Sequence, residues 1–306
     1  MELGVALPTS GPLAGPATIA RVAQEVEQLG YDSVWTYERL LRPTAPVALG
    51  GSGEPQPVPE IYRLTYEPLE TLSYVAALTQ RVKLGTSIVD ALLHPAAILA
   101  KRFATLDQFS GGRVVAGLGQ GWMPQEFAAA NVPMSRIGAG LDEVVAAMRA
   151  CWGPDPVSYH GRFTQIAESE INPKPVQAHV PILVGAMTPG GVRRAARIAD
   201  GLNPVAVSRD ILLGLTTAFR SAVAELGRDP ASVTVVARAN VPLTADPLGD
   251  DRPFLGGTPR QIADDLAGLE GTGVDQVMFS VSGRGHDGEI DELLKLYADL
   301  IELARR

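Results

Sequence analysis

Cysteine is nearly absent from this chain, and so is any concentration of positive charge. One cysteine, Cys151, occurs in 306 residues, which excludes an internal disulfide and fits a reducing, cytoplasmic setting. The formal net charge is −8, so nucleic acids and anionic membranes are not expected partners. No apolar run approaches the ~20 residues that cross a bilayer, and the N-terminus lacks the basic start of a secretion signal.

Several catalytic signatures are missing as well. The four histidines do not have the spacing of metal ligands, so no metal site is expected. A Gly-x-Ser-x-Gly elbow is absent, which disfavours a hydrolase, and no lysine ends a predicted strand as a Schiff-base enzyme requires. Cys151 has no evident base partner and is predicted to be a buried structural thiol. His94 precedes Pro95 and is predicted to cap the helix that follows.

Short apolar runs alternate with helical patterns along the whole chain. Strands are predicted at 3–7, 33–35, 82–87, 114–117, 181–185, 200–204, 233–241 and 276–280. Each is followed by a helix, which predicts an α/β protein of the (β/α)8 TIM barrel type. A barrel needs ~250 residues, so we expect residues 1–306 to form a single domain. An open doubly wound sheet is the alternative, disfavoured because no Gly-x-Gly-x-x-Gly follows the first strand.

Three segments interrupt this alternation and are predicted to be insertions, at about 37–66, 153–180 and 242–257. The first is rich in proline and glycine over 40–63, and a loop of that length in a compact domain is usually functional or a lid. The second contains a predicted hairpin, 157–160 and 163–166, with a two-residue turn at Gly161 and Arg162. Residues 123–136, after the fourth strand, are predicted to be irregular.

The carboxyl ends of barrel strands are where function is placed, and three of them carry suggestive residues. Residues 185–191 turn from a strand into a helix N-terminus, which favours phosphate, although an ordinary Thr-capped helix has the same pattern. The glycines of 117–122 let a flat ligand lie near the backbone with Trp122 as a wall, or belong to a strand end with a packed Trp. Glu38 and Arg39 form an acid–base pair that either transfers a proton or only pairs internally.

An ordered set of motifs gives this chain a family resemblance that no single motif carries. The set comprises residues 30–35, 81–87, 94–95, 101, 104–107, 110–113, 117–122, 173–175, 181–185 and 199–201. It resembles the bacterial luciferase-like superfamily of flavin and deazaflavin oxidoreductases. It is most similar to the branch that uses the deazaflavin coenzyme F420, from about residue 2 to residue 283.

The resemblance implies a barrel with insertions, usually a homodimer, whose cofactor lies across the carboxyl ends of the strands. In deazaflavin members a non-proline cis peptide forms a bulge against which the ring rests, and this position corresponds to Ser87 and Ile88. The family's phosphate contacts correspond to Gly185, Ala186, Met187 and Thr188. Contacts to the ring or tail correspond to Trp122 and Gln125.

The chain departs from the family pattern after the second strand. Many relatives have Asp-His there, whereas this chain has Glu38 and Arg39, so the family's histidine proton donor is missing at that position. Arginine stays protonated at neutral pH and is a poor proton shuttle. Arg39 can instead bind an anionic or carbonyl oxygen, with Glu38 orienting it. Some relatives also carry a Glu where this chain has Trp122, so a second acid is absent there.

Three functions follow from these observations. The first is an oxidoreductase that transfers a hydride between coenzyme F420 and a small organic substrate held under loop 41–63. The second is an FMN-dependent monooxygenase that works with a separate reductase. The third is a non-catalytic protein that binds a deazaflavin or a flavin as a carrier or sensor. For the first, Glu38 and Arg39 are the candidate catalytic residues.

Overall fold

A closed ring of eight parallel strands forms the centre of the molecule. The structure is a computed structural model that describes residues 1–48, 53–280 and 290–306. The barrel strands are β1 (Glu2–Ala6), β2 (Ser33–Thr36), β3 (Lys83–Thr86), β4 (Val114–Gly119), β5 (Ile182–Val184), β6 (Gly201–Leu202), β7 (Thr234–Ala239) and β8 (Gln276–Phe279). Leu84 of β3 pairs with Val114 of β4, and Val5 of β1 pairs with Phe279 of β8, which closes the ring.

Helices follow the strands around the outside of the ring. They are α1 (Pro16–Leu29), α2 (Pro68–Ala76), α3 (Ala96–Ser110), α4 (Pro124–Ala129), α5 (Ala139–Trp152), α6 (Pro189–Ile198), α7 (Arg209–Glu225), α8 (Pro259–Ala267) and α9 (Ile290–Ala304). Local signals fix several ends. Gly30 ends α1 with a left-handed φ of 92°, and Thr258 opens α8 in a capping box with Gln261. The predicted (β/α)8 barrel is therefore confirmed.

Two local predictions were wrong. Residues 123–136 are not irregular throughout, because they contain α4 and a 3-10 turn at Met134–Arg136. The hairpin is present, but its strands are Val157–His160 and Gln165–Ser169, and His160 pairs with Gln165. Four residues therefore form the connection instead of two. The carboxylate of Glu143 on α5 accepts hydrogen bonds from the backbone N–H groups of residues 162, 163 and 164, which stabilises the longer turn.

Trp35 fills the interior of the barrel near the ends at which the strands begin. It is 1% exposed and packs with Ala6, Leu183, Val236 and Met278. The sequence makes room for this ring with glycine, since a Cβ at Gly85 would lie 2.3 Å from the indole. Because side chains fill this end, a ligand site is expected at the opposite end, where the strands finish.

The first predicted insertion contributes an apolar cluster at that opposite end. Val47 and Val58 pack with Met123, which precedes α4, and Tyr62 and Trp122 border them. Residues 49–52 of this segment lie outside the described residues. The third segment has one bridge, between Leu243 and Gly257. A single domain with three insertions stays a prediction.

Cys151 is buried on α5, as predicted, and burial raises the pKa of its thiol. Among the described residues, no helix is both long and apolar enough to cross a membrane.

Candidate functional site

A bulge interrupts the chain just after β3. Beyond Thr86, the strand direction resumes only at Val89, which pairs with Leu118 of β4. Between them lies a non-proline cis peptide bond that joins Ser87 to Ile88. This is the position at which the family resemblance placed one.

Two residues from neighbouring strand ends hold the bulge. The hydroxyl of Ser87 donates to Oδ1 of Asn203, which follows β6, at 2.6 Å. The guanidinium of Arg238 in β7 donates to the carbonyl oxygen of Ser87. Arg238 also lies 5.0 Å from the centre of the Tyr37 ring, and burial lowers its pKa. The contacts of Arg238 and Asn203 with Ser87 were not predicted from the sequence, because only the closed ring brings β6 and β7 opposite β3.

Glycines at the ends of β4 and β5 leave room for the Ile88 side chain. A Cβ on Gly119 would lie 2.1 Å from Cδ1 of Ile88, and one on Gly185 would lie 3.1 Å from its Cγ2. A Cβ on Gly117 would lie 1.7 Å from the carbonyl oxygen of Thr86. The glycines of 117–119 thus accommodate the bulge itself, a role that the sequence did not indicate.

The start of α6 fits both interpretations of residues 185–191, the phosphate-binding helix N-terminus and the ordinary Thr-capped helix. The hydroxyl of Thr188 accepts a hydrogen bond from the N–H of Gly191 at 3.2 Å, so this is a Thr-capped helix. Gly185 and Ala186 are half-buried, whereas Met187 and Thr188 are exposed. The N-terminus of the helix is therefore accessible to an anion as well as capped.

Glu38 and Arg39 do not pair with each other in the described part of the chain. Instead, Arg39 Nη1 donates to Oε2 of Glu126 at 2.8 Å. Oε1 of Glu126 accepts from the backbone N–H groups of Leu40 and Leu41 at 2.9 and 3.3 Å. Burial raises the pKa of Glu126, and the charge of Arg39 opposes that shift. An acidic side chain from the first turn of α4 thus contacts Arg39.

Two aromatic rings flank the Arg39 guanidinium. Its carbon lies 5.4 Å from the centre of the Trp122 ring and 5.6 Å from that of the Tyr62 ring, within the range of cation–π attraction. Trp122 therefore joins Arg39 at the mouth of the barrel. Gln125, the second residue of α4, is exposed.

Glu38 pairs with a histidine from another element. Its Oε1 lies 2.7 Å from Nε2 of His94, and its Oε2 accepts from the backbone N–H of Asp90 at 2.6 Å. The prediction that His94 caps α3 was wrong: Pro95 holds the N-cap position, without a side-chain hydrogen bond. The hydrogen bond between the Glu38 carboxylate and Nε2 orients the His94 ring toward Glu38 instead of toward the start of α3.

Asp90 lies in the same group of charges, which comprises the carboxyl groups of Glu38 and Glu126 and the guanidinium of Arg39. It is 2% exposed, and its Oδ2 has no hydrogen-bond partner in the described structure. Arg39 Nη2 is 3.8 Å from that oxygen. Burial, reinforced by the charges of Glu38 and Glu126, raises the pKa of Asp90 to about 7, although Arg39 opposes the shift.

Comparison with known proteins identifies the family. The luciferase-like monooxygenase family model matches residues 1–248. The chain belongs to this family.

Luciferase-like relatives include enzymes named for coenzyme F420. An F420-dependent glucose-6-phosphate dehydrogenase of Kineococcus radiotolerans is 31% identical over 189 residues, which are 61% of this chain and 51% of the dehydrogenase. The chain thus matches about half of that enzyme's length. An uncharacterized protein of Mycobacterium tuberculosis (strain ATCC 25618 / H37Rv) is 36% identical over 206 residues, 66% of this chain and 71% of that protein.

Solved structures share the fold over nearly the whole length. The monooxygenase RslO1 from Streptomyces bottropensis superposes with a TM-score of 0.77 at 23% identity, covering 99% of this chain and 97% of its own. The coenzyme F420 dependent tetrahydromethanopterin reductase from Methanopyrus kandleri gives 0.76 at 18% identity, with 97% of each chain covered. At such identities the likeness establishes the fold alone.

Proposed function

We propose that this luciferase-like protein is an oxidoreductase that binds coenzyme F420 and transfers a hydride between it and a small organic substrate. The proposal rests on one surface at the barrel mouth, which we call the ring seat. There the Ile88 side chain lies between the backbones of Gly119 and Gly185, neither of which carries a side chain. Relatives named as F420-dependent enzymes support the choice of cofactor. The small-molecule substrate and the homodimer implied by the resemblance remain predictions.

The residues of the mouth fit a flat, polar cofactor with a phosphate. Three buried polar atoms there lack a hydrogen-bond partner in the described structure, namely Thr9 Oγ1, Arg39 Nε and Asp90 Oδ2, and such atoms commonly mark a ligand site. The accessible N-terminus of α6 suits a phosphate. The proposed holding residues are Ser87, Ile88, Trp122, Gln125, Gly185, Ala186, Met187 and Thr188.

When bound, the deazaflavin supplies the hydride-accepting carbon, and the protein supplies position, charge and proton transfer. Arg39, held by Glu126 between two rings, is suited to bind a substrate oxygen. Glu38 is within the same mouth and can exchange a proton with that oxygen. The cluster of Val47, Val58 and Met123 lies beside them and excludes water.

A fluorescence titration of the purified protein with F420, and separately with FMN, tests the proposal. We expect F420 fluorescence to be quenched or shifted with a Kd in the micromolar range, and FMN to bind more weakly. No F420 binding at tens of micromolar would contradict the proposal. Selective FMN binding would favour the two-component monooxygenase instead.

Gly119→Ala is expected to weaken F420 binding about tenfold, equivalent to ~1.4 kcal/mol. The new methyl would occupy the place of Ile88 Cδ1 and push that side chain into the ring seat. Because Ile88 Cδ1 is a flexible end, the fold should survive, as near-unchanged circular dichroism would show.

The double variant Gly119→Ala with Ile88→Val lacks that terminal methyl and should recover part of the affinity. Gly214→Ala on α7, where a Cβ meets nothing within 4 Å, is the control. Equal affinity of Gly119→Ala and wild type would show that Ile88 does not form the seat.

A further inference from the structure

A cavity of about 320 Å³ lies outside the barrel mouth. It is bounded by the start of α3, the segment that follows α4 and the turn of the hairpin, and it opens to solvent. Its lining is mixed, with Leu92, His94, Pro95, Val132, Arg136 and Phe163 among its residues.

His94 belongs to both the cavity and the mouth. Its side chain is 18% exposed, and its Nε2 is 2.7 Å from Oε1 of Glu38, whose side chain is 4% exposed. The other oxygen of Glu38 accepts a hydrogen bond from the backbone N–H of Asp90, and a peptide N–H does not release its proton near neutral pH. Among the described residues, the side chain that contacts a Glu38 oxygen is that of His94, so a proton exchanged with Glu38 through these side chains passes through its ring.

We propose that His94 carries protons between this cavity and Glu38. The inference rests on the proposed function. A substrate alcohol that gives its carbon-bound hydrogen to the deazaflavin as a hydride becomes a carbonyl and also loses its hydroxyl proton. Glu38 accepts that proton, passes it to Nε2 of His94, and the ring releases a proton to water in the cavity. The reverse sequence supplies the proton for carbonyl reduction.

Such a route is useful because a bound cofactor and substrate would occupy the mouth. Cofactor and substrate would cover Glu38 from the inside, so bulk water could not reach it from that direction. Histidine suits the task, since it binds and releases protons near neutral pH and has two ring nitrogens. The charged groups near the pair are Arg39, Glu67, Asp90, Glu126 and, at the cavity, Arg136.

His94→Gln separates this role from that of a structural pair. Glutamine keeps an N–H donor for Glu38 but cannot carry a proton. We expect its F420 Kd to stay within about twofold of wild type, while F420 reduction with glucose 6-phosphate or 2-propanol as probe falls about 100-fold. His179→Gln, at a histidine that lies 2.8 Å from the Asp200 carboxylate elsewhere, should retain the wild-type rate. A wild-type rate and pH profile in His94→Gln would overturn the proposal.

His94→Ala allows a second test, one part of which needs no turnover. Removal of the ring opens the cavity to Glu38, so added imidazole should enter it. The rate of the variant should then rise at least tenfold and reach a plateau as the imidazole concentration increases. A crystal soaked in imidazole should show the ring in the cavity, within hydrogen-bond distance of Glu38. A soaked crystal without imidazole at that place would contradict the route. Failure of wild-type protein to bind F420 would instead contradict the proposed function.

Discussion

Asp90→Asn is expected to stabilise the protein at pH 8 relative to wild type, and much less at pH 5. In the folded state the pKa of Asp90 is raised to about 7 from 3.8, first by burial. The folded protein therefore binds a proton that the unfolded chain releases, so stability falls as pH rises from about 4 to about 7. A shift of ~3 units corresponds to ~4 kcal/mol at most.

Urea unfolding of both proteins at pH 5 and pH 8 measures this effect. The advantage of Asp90→Asn in free energy of unfolding should grow by about 2 to 3 kcal/mol between the two pH values. Asp299→Asn, at an exposed position on α9, should show no such growth. An advantage that is equal at both pH values would mean that Asp90 is ionised throughout this range.

Gly117→Ala is expected to lower the free energy of unfolding by about 3 kcal/mol or more. The added Cβ would lie 1.7 Å from the carbonyl oxygen and 2.8 Å from the carbonyl carbon of Thr86. These are backbone atoms of β3, so the strand itself must move. The Thr86 hydroxyl, which bonds both the N–H and the C=O of Gly117 at 2.9 and 2.7 Å, would be displaced with it.

Gly214→Ala provides the matched comparison, because this glycine lies inside α7 and its Cβ would have open space. Alanine there is expected to stabilise by up to about 1 kcal/mol, since it has the higher helix propensity. Thermal or urea unfolding of the two variants would check both signs. A Gly117→Ala protein within 1 kcal/mol of wild type would show that β3 and β4 tolerate a wider separation at Thr86.

Hydrophobic periodicity, together with glycine and proline at the ends of helices and strands, predicted most of the fold. The eight strands and the helices after them came from apolar runs and helical spacing. These features are local, because a helix or strand is specified by residues within a few positions of one another. The predicted length of the hairpin turn was wrong because the carboxylate of Glu143, distant in sequence, accepts hydrogen bonds from the backbone N–H groups of the turn.

The candidate site was predicted only in its strand-end parts. Glu38, Arg39, Ser87, Ile88 and the residues after β5 lie at the mouth, as expected from strand ends that meet in a barrel.

Their partners could not be predicted from the sequence. His94 is 56 positions from Glu38, and Glu126 is 87 positions from Arg39. No local pattern marks such pairs.

The sequence by itself determined the barrel, the glycines at the ends of β4 and β5, and the family. The tertiary structure alone decided which charges meet. The buried carboxyl groups of Asp90 and Glu126 meet Arg39, and that of Glu38 meets His94, because closure of the ring brings the ends of β2, β3 and β4 side by side. Burial and crowding at that point then set the proton affinity of Asp90, and both depend on where chain segments meet in space.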